Sequence, residues 1–101
     1  MDIRKTNNGG KLAVAVIGRV DTSTAPQLEE QLKADYDSCG SVTIDLSEVS
    51  YISSAGLRVL LSAHKVMMKK GGLSIIGAKP ELMEIFEVTG FSDILDISGA
   101  E

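Results

Sequence analysis

Two adjacent hydroxyls, Ser53 and Ser54, precede the small residues Ala55 and Gly56 and open a stretch whose apolar residues recur every three or four positions. One serine suffices to cap a helix start, because a single side-chain oxygen can accept a free backbone N–H there. The second hydroxyl is spare. On the plainest reading one serine caps, while Ala55 and Gly56 only permit close packing. A catalytic serine would need a base within hydrogen-bond reach. The single histidine, His64, sits about 15 Å further along the same helix at about 1.5 Å rise per residue. The triad reading therefore fails, and no GxSxG elbow surrounds either serine, so esterase chemistry is not expected. His64 reads instead as a helix residue at the core boundary. One Cys, one His and scattered carboxylates offer no zinc or calcium spacing, so no metal is expected. Neither GxxxxGKS/T nor GxGxxG occurs, which leaves room only for weak, adventitious nucleotide binding, and no cofactor is expected.

The same position suits phosphorylation by a separate kinase. A phosphoserine adds about −1.5 to −2 charge, and the free N–H groups and dipole of a helix N-terminus accommodate an anion. The fold should therefore survive modification, while a partner that must cover and dehydrate the spot would lose binding. Arg58 falls one turn after Ser54. Helical side chains lean towards the N-terminus, so its guanidinium could reach such a phosphate. An equally ordinary reading aligns Arg58 with Ser62 and Lys65 on a polar face.

The elements that must position these residues are legible as a strand–helix alternation. Asn7 to Gly10 form a turn cluster between an extended start, Asp2 to Thr6, and the apolar run Lys11 to Val20, which predicts a hairpin. Apolar residues at both parities of that run predict an interior strand covered on both faces. Thr24 with Gln27, and Pro26 in the first turn, form a capping-box pattern for a helix carrying Leu28 and Leu32 inward and stopping near Gly40. Ser41 to Leu46 reads as a strand and Ser47 to Ser50 as a polar turn. The Tyr51 to Lys70 stretch reads as a helix with Leu57, Leu60, Leu61, His64, Met67 and Met68 inward. Gly71 and Gly72 end it. Leu73 to Ile76 predicts a short buried strand, Pro80 opens a helix that Gly90 closes, and Ile94 to Ile97 predicts a last extended piece. Alternation of this kind predicts an α/β domain with parallel inner strands. The two loops at strand ends, Asp21 to Thr24 and Ser47 to Gly56, are where such a domain works.

Size and charge narrow the function further. The 101 residues are one domain, too short for a two-domain enzyme but able to bury roughly 60 to 65% of the unfolded surface. The chain carries 14 acidic against 10 basic residues and few aromatics, which argues against nucleic acid as a partner. Its longest apolar run, Leu12 to Ile17, is far below the ~20 residues that cross a bilayer. A lone Cys39 and no basic, apolar leader point to a reducing, cytoplasmic setting.

The stretch DLSEVSYISSAGLRVLL, Asp45 to Leu61, resembles the signature of the STAS domains, specifically the stand-alone anti-sigma factor antagonists of bacteria. In that pattern a strand ends in an acidic residue, followed by an aromatic, an apolar residue, usually Asp, then Ser, Ser or Thr, Gly and Leu. Tyr51, Ile52, Ser53, Ser54, Ala55, Gly56 and Leu57 occupy those places, so the resemblance implies that Ser54 is the phosphorylated serine. GRVDTSTAPQLEEQL, Gly18 to Leu32, is similar to the family's glycine, two residues, Asp and helix, which makes Asp21 the acidic neighbour of the site. The closing segment Gly71 to Leu95 also resembles the family's last strand and helix. One departure stands out: Ser53 replaces the usual Asp, and Ala55 the second hydroxyl. Ser53 is then the alternative acceptor, or the domain is a constitutive partner-binding module.

The resemblance implies a single STAS-type α/β domain over residues 1–101. Its mixed four- to five-stranded sheet would have an N-terminal hairpin and parallel inner strands, packed against about three to four helices. It implies a non-enzymatic antagonist that binds an anti-sigma factor serine kinase, an ATPase, to release a sigma factor, with a cognate phosphatase reversing the phosphorylation. The expected partner-binding residues are Asp21, Thr22, Ser23, Ser53, Ser54, Gly56 and Arg58, on a surface covering about 800 Å² per side. A STAS-type sensor of a small ligand or nucleotide is the alternative.

Overall fold

Gly9 and Gly10, at φ 60° and 91°, fold strand β1 (Asp2–Asn8) back on β2 (Lys11–Val20) as an antiparallel hairpin. The computed structural model describes residues 1–99. From β2 the chain runs through α1 (Ala25–Lys33) and a 3-10 turn at Tyr36–Ser38 into β3 (Ser41–Ile52). There follow α2 (Ser54–Met67), β4 (Leu73–Ala78), α3 (Pro80–Thr89), a 3-10 turn at Phe91–Asp93 and β5 (Asp96–Gly99). The five strands lie in sequence order. Only the first pair is antiparallel; every later pair is parallel and bridged by a helix, as parallel strands require. The expected α/β architecture, with its mixed sheet and N-terminal hairpin, is the one observed.

Side-chain alternation decides which face of the sheet is covered. Leu12, Val14 and Val16 of β2, Val42, Ile44 and Leu46 of β3, and Leu73 and Ile75 of β4 are buried. They form one cluster with Leu28 and Leu32 of α1, Leu60 and Met67 of α2, and Leu82 and Phe86 of α3. On the opposite face Ala13, Ala15, Thr43, Asp45 and Ile76 stay half-buried or exposed. The expectation that β2 is covered on both faces is therefore corrected. Ala13 and Ala15 present too little apolar area to hold a second layer, and their neighbours across the ladder are the polar Thr43 and Asp45.

Element boundaries differ in ways that matter for the site. Ser47 to Ser50 do not turn; β3 continues to Ile52 because Val49 and Ile52 remain buried. Its register against β2 shifts between Ala15 and Ile17 and again between Gly18 and Arg19, so bulges absorb the extra residues. α2 consequently begins at Ser54 rather than Tyr51, and it ends at Met67 rather than Lys70. Beyond it, Lys70 donates through Nζ to the carbonyl oxygens of Tyr36 and Cys39, tying this corner to the segment before β3. Met68, expected inward, is 66% exposed, and His64 is half-buried. α1 stops at Lys33, well before Gly40, and the last strand starts at Asp96 rather than Ile94.

Candidate functional site

The ends of β2 and β3 lie side by side, with Arg19 opposite Tyr51 and Val20 opposite Ile52. The Ser53 N–H donates to the Val20 carbonyl at 2.8 Å, which fixes the start of α2 against the exit of β2. Ser53 has extended backbone angles, φ −91° and ψ 174°, and its hydroxyl accepts the Gly56 N–H at 3.3 Å. It is the N-cap. Ser54 is the first helical residue, exposed, and takes no part in the cap. The spare hydroxyl of the pair is therefore that of Ser54.

The loop beside it is organised by Asp21. Its Oδ1 accepts the Ser23 hydroxyl at 2.7 Å, the Ser23 N–H at 3.0 Å and the Thr24 N–H at 3.1 Å. The hydroxyl bond from Ser23, followed by the Thr24 N–H, holds the Asp21 carboxyl below its ordinary titration range, with burial opposing. The expected Thr24–Gln27 capping box is absent. Thr24 Oγ1 is drawn the other way, accepting the Asp21 N–H and donating to the Arg19 carbonyl, both at 2.8 Å. Asp21 thus supplies the local hydrogen bonding that the motif assigned to Thr24.

Two residues absent from the expected docking set join this end of the sheet. The Arg19 guanidinium stands 4.6 Å from the Tyr51 ring centroid, and its Nε is 3.8 Å from Asp21 Oδ2. Tyr51 is 39% exposed, so the ring is open to solvent beside the Asp21 loop. The signal was present in the sequence, since Tyr51 stands two residues before Ser53 and Arg19 two before Asp21, but their pairing depends on the bulged register.

Between α1 and α2 an open groove of about 330 Å³ is lined by Thr22, Ala25, Pro26, Glu29, Ala55, Arg58 and Val59. Arg58, exposed on the polar side of α2, lines this groove opposite the α1 residues Pro26 and Glu29. Thr22, in its lining, and the neighbouring Ser23 are exposed. Gly56, expected on the docking surface, is buried and is corrected to a packing role. A Cβ there would lie 2.7 Å from Ile52 Cγ1 and 2.7 Å from Val20 Cγ1. Absence of a side chain lets the first turn of α2 approach the strand ends.

Among the described residues no group of His, Cys, Asp and Glu could hold a metal, and no helix is long and apolar enough to cross a membrane. His64 Nδ1 is buried without a hydrogen-bond partner and lies on the far part of α2. The Cys39 thiol is buried too; burial pushes its pKa up, against the lowering influence of Lys70.

The family model described as the STAS domain matches residues 2–100. The anti-sigma-B factor antagonist of Listeria monocytogenes is 36% identical over 99 residues, which cover 96% of this chain and 87% of that protein. The crystal structure of an anti-sigma factor antagonist from Mycobacterium paratuberculosis superposes with a TM-score of 0.87 at 28% identity, covering 96% of this chain and 84% of that one. The Bacillus cell fate determinant SpoIIAA in its phosphorylated form superposes with a TM-score of 0.75, covering 95% and 90%. At 11% identity that last likeness is one of fold alone.

Proposed function

The chain belongs to the STAS domain family, and from that premise we propose that it is an anti-sigma factor antagonist switched by phosphorylation of Ser54. Unmodified, it binds an anti-sigma factor serine kinase, an ATPase, and so releases a sigma factor. The kinase inactivates it by transferring the γ-phosphoryl group of ATP to the Ser54 hydroxyl, and a phosphatase restores it by hydrolysis.

One observation carries the reading: of two neighbouring serines, Ser53 is committed to the cap and Ser54 is exposed beside the Asp21 loop. A phosphate on Ser54 would sit at the N-terminus of α2, where free N–H groups and the dipole favour an anion. Locally it is tolerated. To a partner it presents a dianion on a patch formed by Asp21, Thr22, Ser23, Ser53, Ser54 and Arg58, and Asp21 already supplies negative charge there. The partner then loses contacts through repulsion and the cost of stripping water from the phosphate. The role is regulatory. Ser54 has no base beside it in the sequence-local helix, since His64 lies ten residues further along α2.

The sensor alternative has weaker support. The α1–α2 groove is walled mainly by Ala25, Pro26, Ala55 and Val59, and its two charged residues, Glu29 and Arg58, are of opposite sign, so it offers no concentrated positive charge for a phosphate.

The decisive experiment incubates the protein with an anti-sigma factor serine kinase and ATP, and follows intact mass. One phosphate should be added to the wild type and to Ser53→Ala, and none to Ser54→Ala. Phosphorylation that persists in Ser54→Ala and disappears only in Ser53→Ala would overturn the assignment. Binding to the kinase should survive Ser54→Ala and weaken in Ser54→Asp.

A further inference from the structure

The face of the sheet that no helix covers carries an arrangement of its own. Ladder partners share a face, so Arg4 on β1, Ala15 on β2, Asp45 on β3 and Ile76 on β4 form one row across it. Thr6, Ala13, Thr43 and Ser74 form the adjacent row. Seven of these residues line a shallow depression of about 200 Å³ whose floor is the two alanines. Arg4 makes no ion pair among the described residues, and Asp45 accepts only the Ser47 N–H, at 2.9 Å through Oδ1. Opposite charges thus flank β2 at one level, each one strand away from it, or about 4.8 Å.

This placement is self-complementary. A two-fold axis lying parallel to the strands and directly above β2 exchanges the two sides of that strand while keeping each row at its own level. Under that operation Arg4 of one copy stands over Asp45 of the other, and Asp45 over Arg4. Thr6 stands over Thr43, and Ala13 and Ala15 meet their own counterparts on the axis, where small side chains permit close approach. We propose that this uncovered face is a self-association surface on which two copies of the chain pack face to face. The symmetry is the isologous kind most dimers use.

The contact is a weak and reversible one. Only β1, β2 and β3 overlap in the pair, so the buried area falls in the range of transient complexes. At the far end of the same strands Asp2 approaches Glu48 as a like charge. The N-terminus of α2 and the α1–α2 groove lie on the other layer, so dimers keep Ser54 accessible.

Sedimentation velocity of the purified chain over a wide concentration range tests the proposal without any partner protein. The wild type should show a concentration-dependent monomer–dimer equilibrium. Arg4→Glu and Asp45→Lys should each raise the dissociation constant about tenfold or more, and the double charge reversal should restore it. Asp45→Asn, which keeps an acceptor for the Ser47 N–H, should weaken the dimer without lowering the melting temperature. Ala13→Glu, on the axis, should abolish it. A wild type that stays monomeric at every concentration overturns the proposal. So does a dimer indifferent to these substitutions, or a double reversal that folds but does not re-associate.

Discussion

Replacing Gly56 with alanine tests whether the position of the helix tip that carries Ser54 is set by a steric fit. Gly56 lies in the first turn of α2 with no positive φ, so alanine is conformationally acceptable there. In an exposed helix the change would stabilise by about 1 kcal/mol through propensity alone. Here the new methyl would lie 2.7 Å from both Ile52 Cγ1 and Val20 Cγ1, and 3.3 Å from Ile52 Cδ1. Both obstructing side chains are β-branched, on strands and buried, so they have little rotamer freedom with which to yield. Overpacking of this kind costs about 1 to 3 kcal/mol. The difference is a net loss of about 1 kcal/mol, which in a domain of this size lowers the melting temperature by about 4 to 8 °C. Gly56→Val, which adds two further methyl groups to the same space, should be far worse. Urea unfolding followed by circular dichroism measures both, with an unchanged m-value expected. A Gly56→Ala protein more stable than the wild type would refute the reasoning, because propensity would then outweigh contact. The same variant should bind its partner more weakly, although Gly56 is itself buried.

Two further outcomes separate the local roles at this end of the sheet. Ser53→Ala should lower stability by about 0.5 to 2 kcal/mol through loss of the cap, whereas Ser54→Ala should melt with the wild type; equal effects would contradict the assignment of the N-cap. The folded Asp21 carboxyl titrates below its ordinary 3.8, so its contribution is complete above that value and fades as pH falls through the lower folded value. Melting curves of Asp21→Asn and wild type should therefore differ by a constant amount from about pH 7 to 5 and converge below about pH 4. A gap that persists unchanged into acid would show that the charge of Asp21 contributes nothing.

Much of the architecture was legible because it depends on local pattern. Hairpin glycines, the strand–helix alternation, the apolar faces of α1 and α3 and the Gly90 stop, at φ 81°, all follow from residue type and spacing. The misread features depend on partners distant in sequence. Ser47 to Ser50 look like a turn, yet pairing with β2 holds them in a strand by means of bulges. Thr24 and Gln27 fit a capping box, but the Asp21 carboxylate and the Arg19 carbonyl compete successfully for the same donors and hydroxyl. Apolar residues at both parities of β2 suggested two covered faces, and only the neighbouring Thr43 and Asp45 reveal that one is open. At the site, Ser53, Ser54, Asp21 and Arg58 were identifiable by type, while Arg19 and Tyr51 were not, because a register slip brings them into contact.

The order of the two serines carries a consequence for how such a switch is built. A hydroxyl that caps a helix is held by the backbone, and phosphorylating it would convert an acceptor of one N–H into a bulky dianion in the cap position, coupling signalling to helix stability. Under the proposed switch, placing the modified hydroxyl one residue inward separates the two tasks: Ser53 closes the helix at Gly56, and the Ser54 hydroxyl stands outside that bond. Gly56 complements this arrangement by letting the turn approach Val20 and Ile52 closely, a packing contact that does not involve the Ser54 hydroxyl. Stability then resides in contacts beneath the surface, and affinity in the charge above it. A Ser53→Asp substitution, which restores an anionic cap without touching Ser54, should accordingly leave the switch intact.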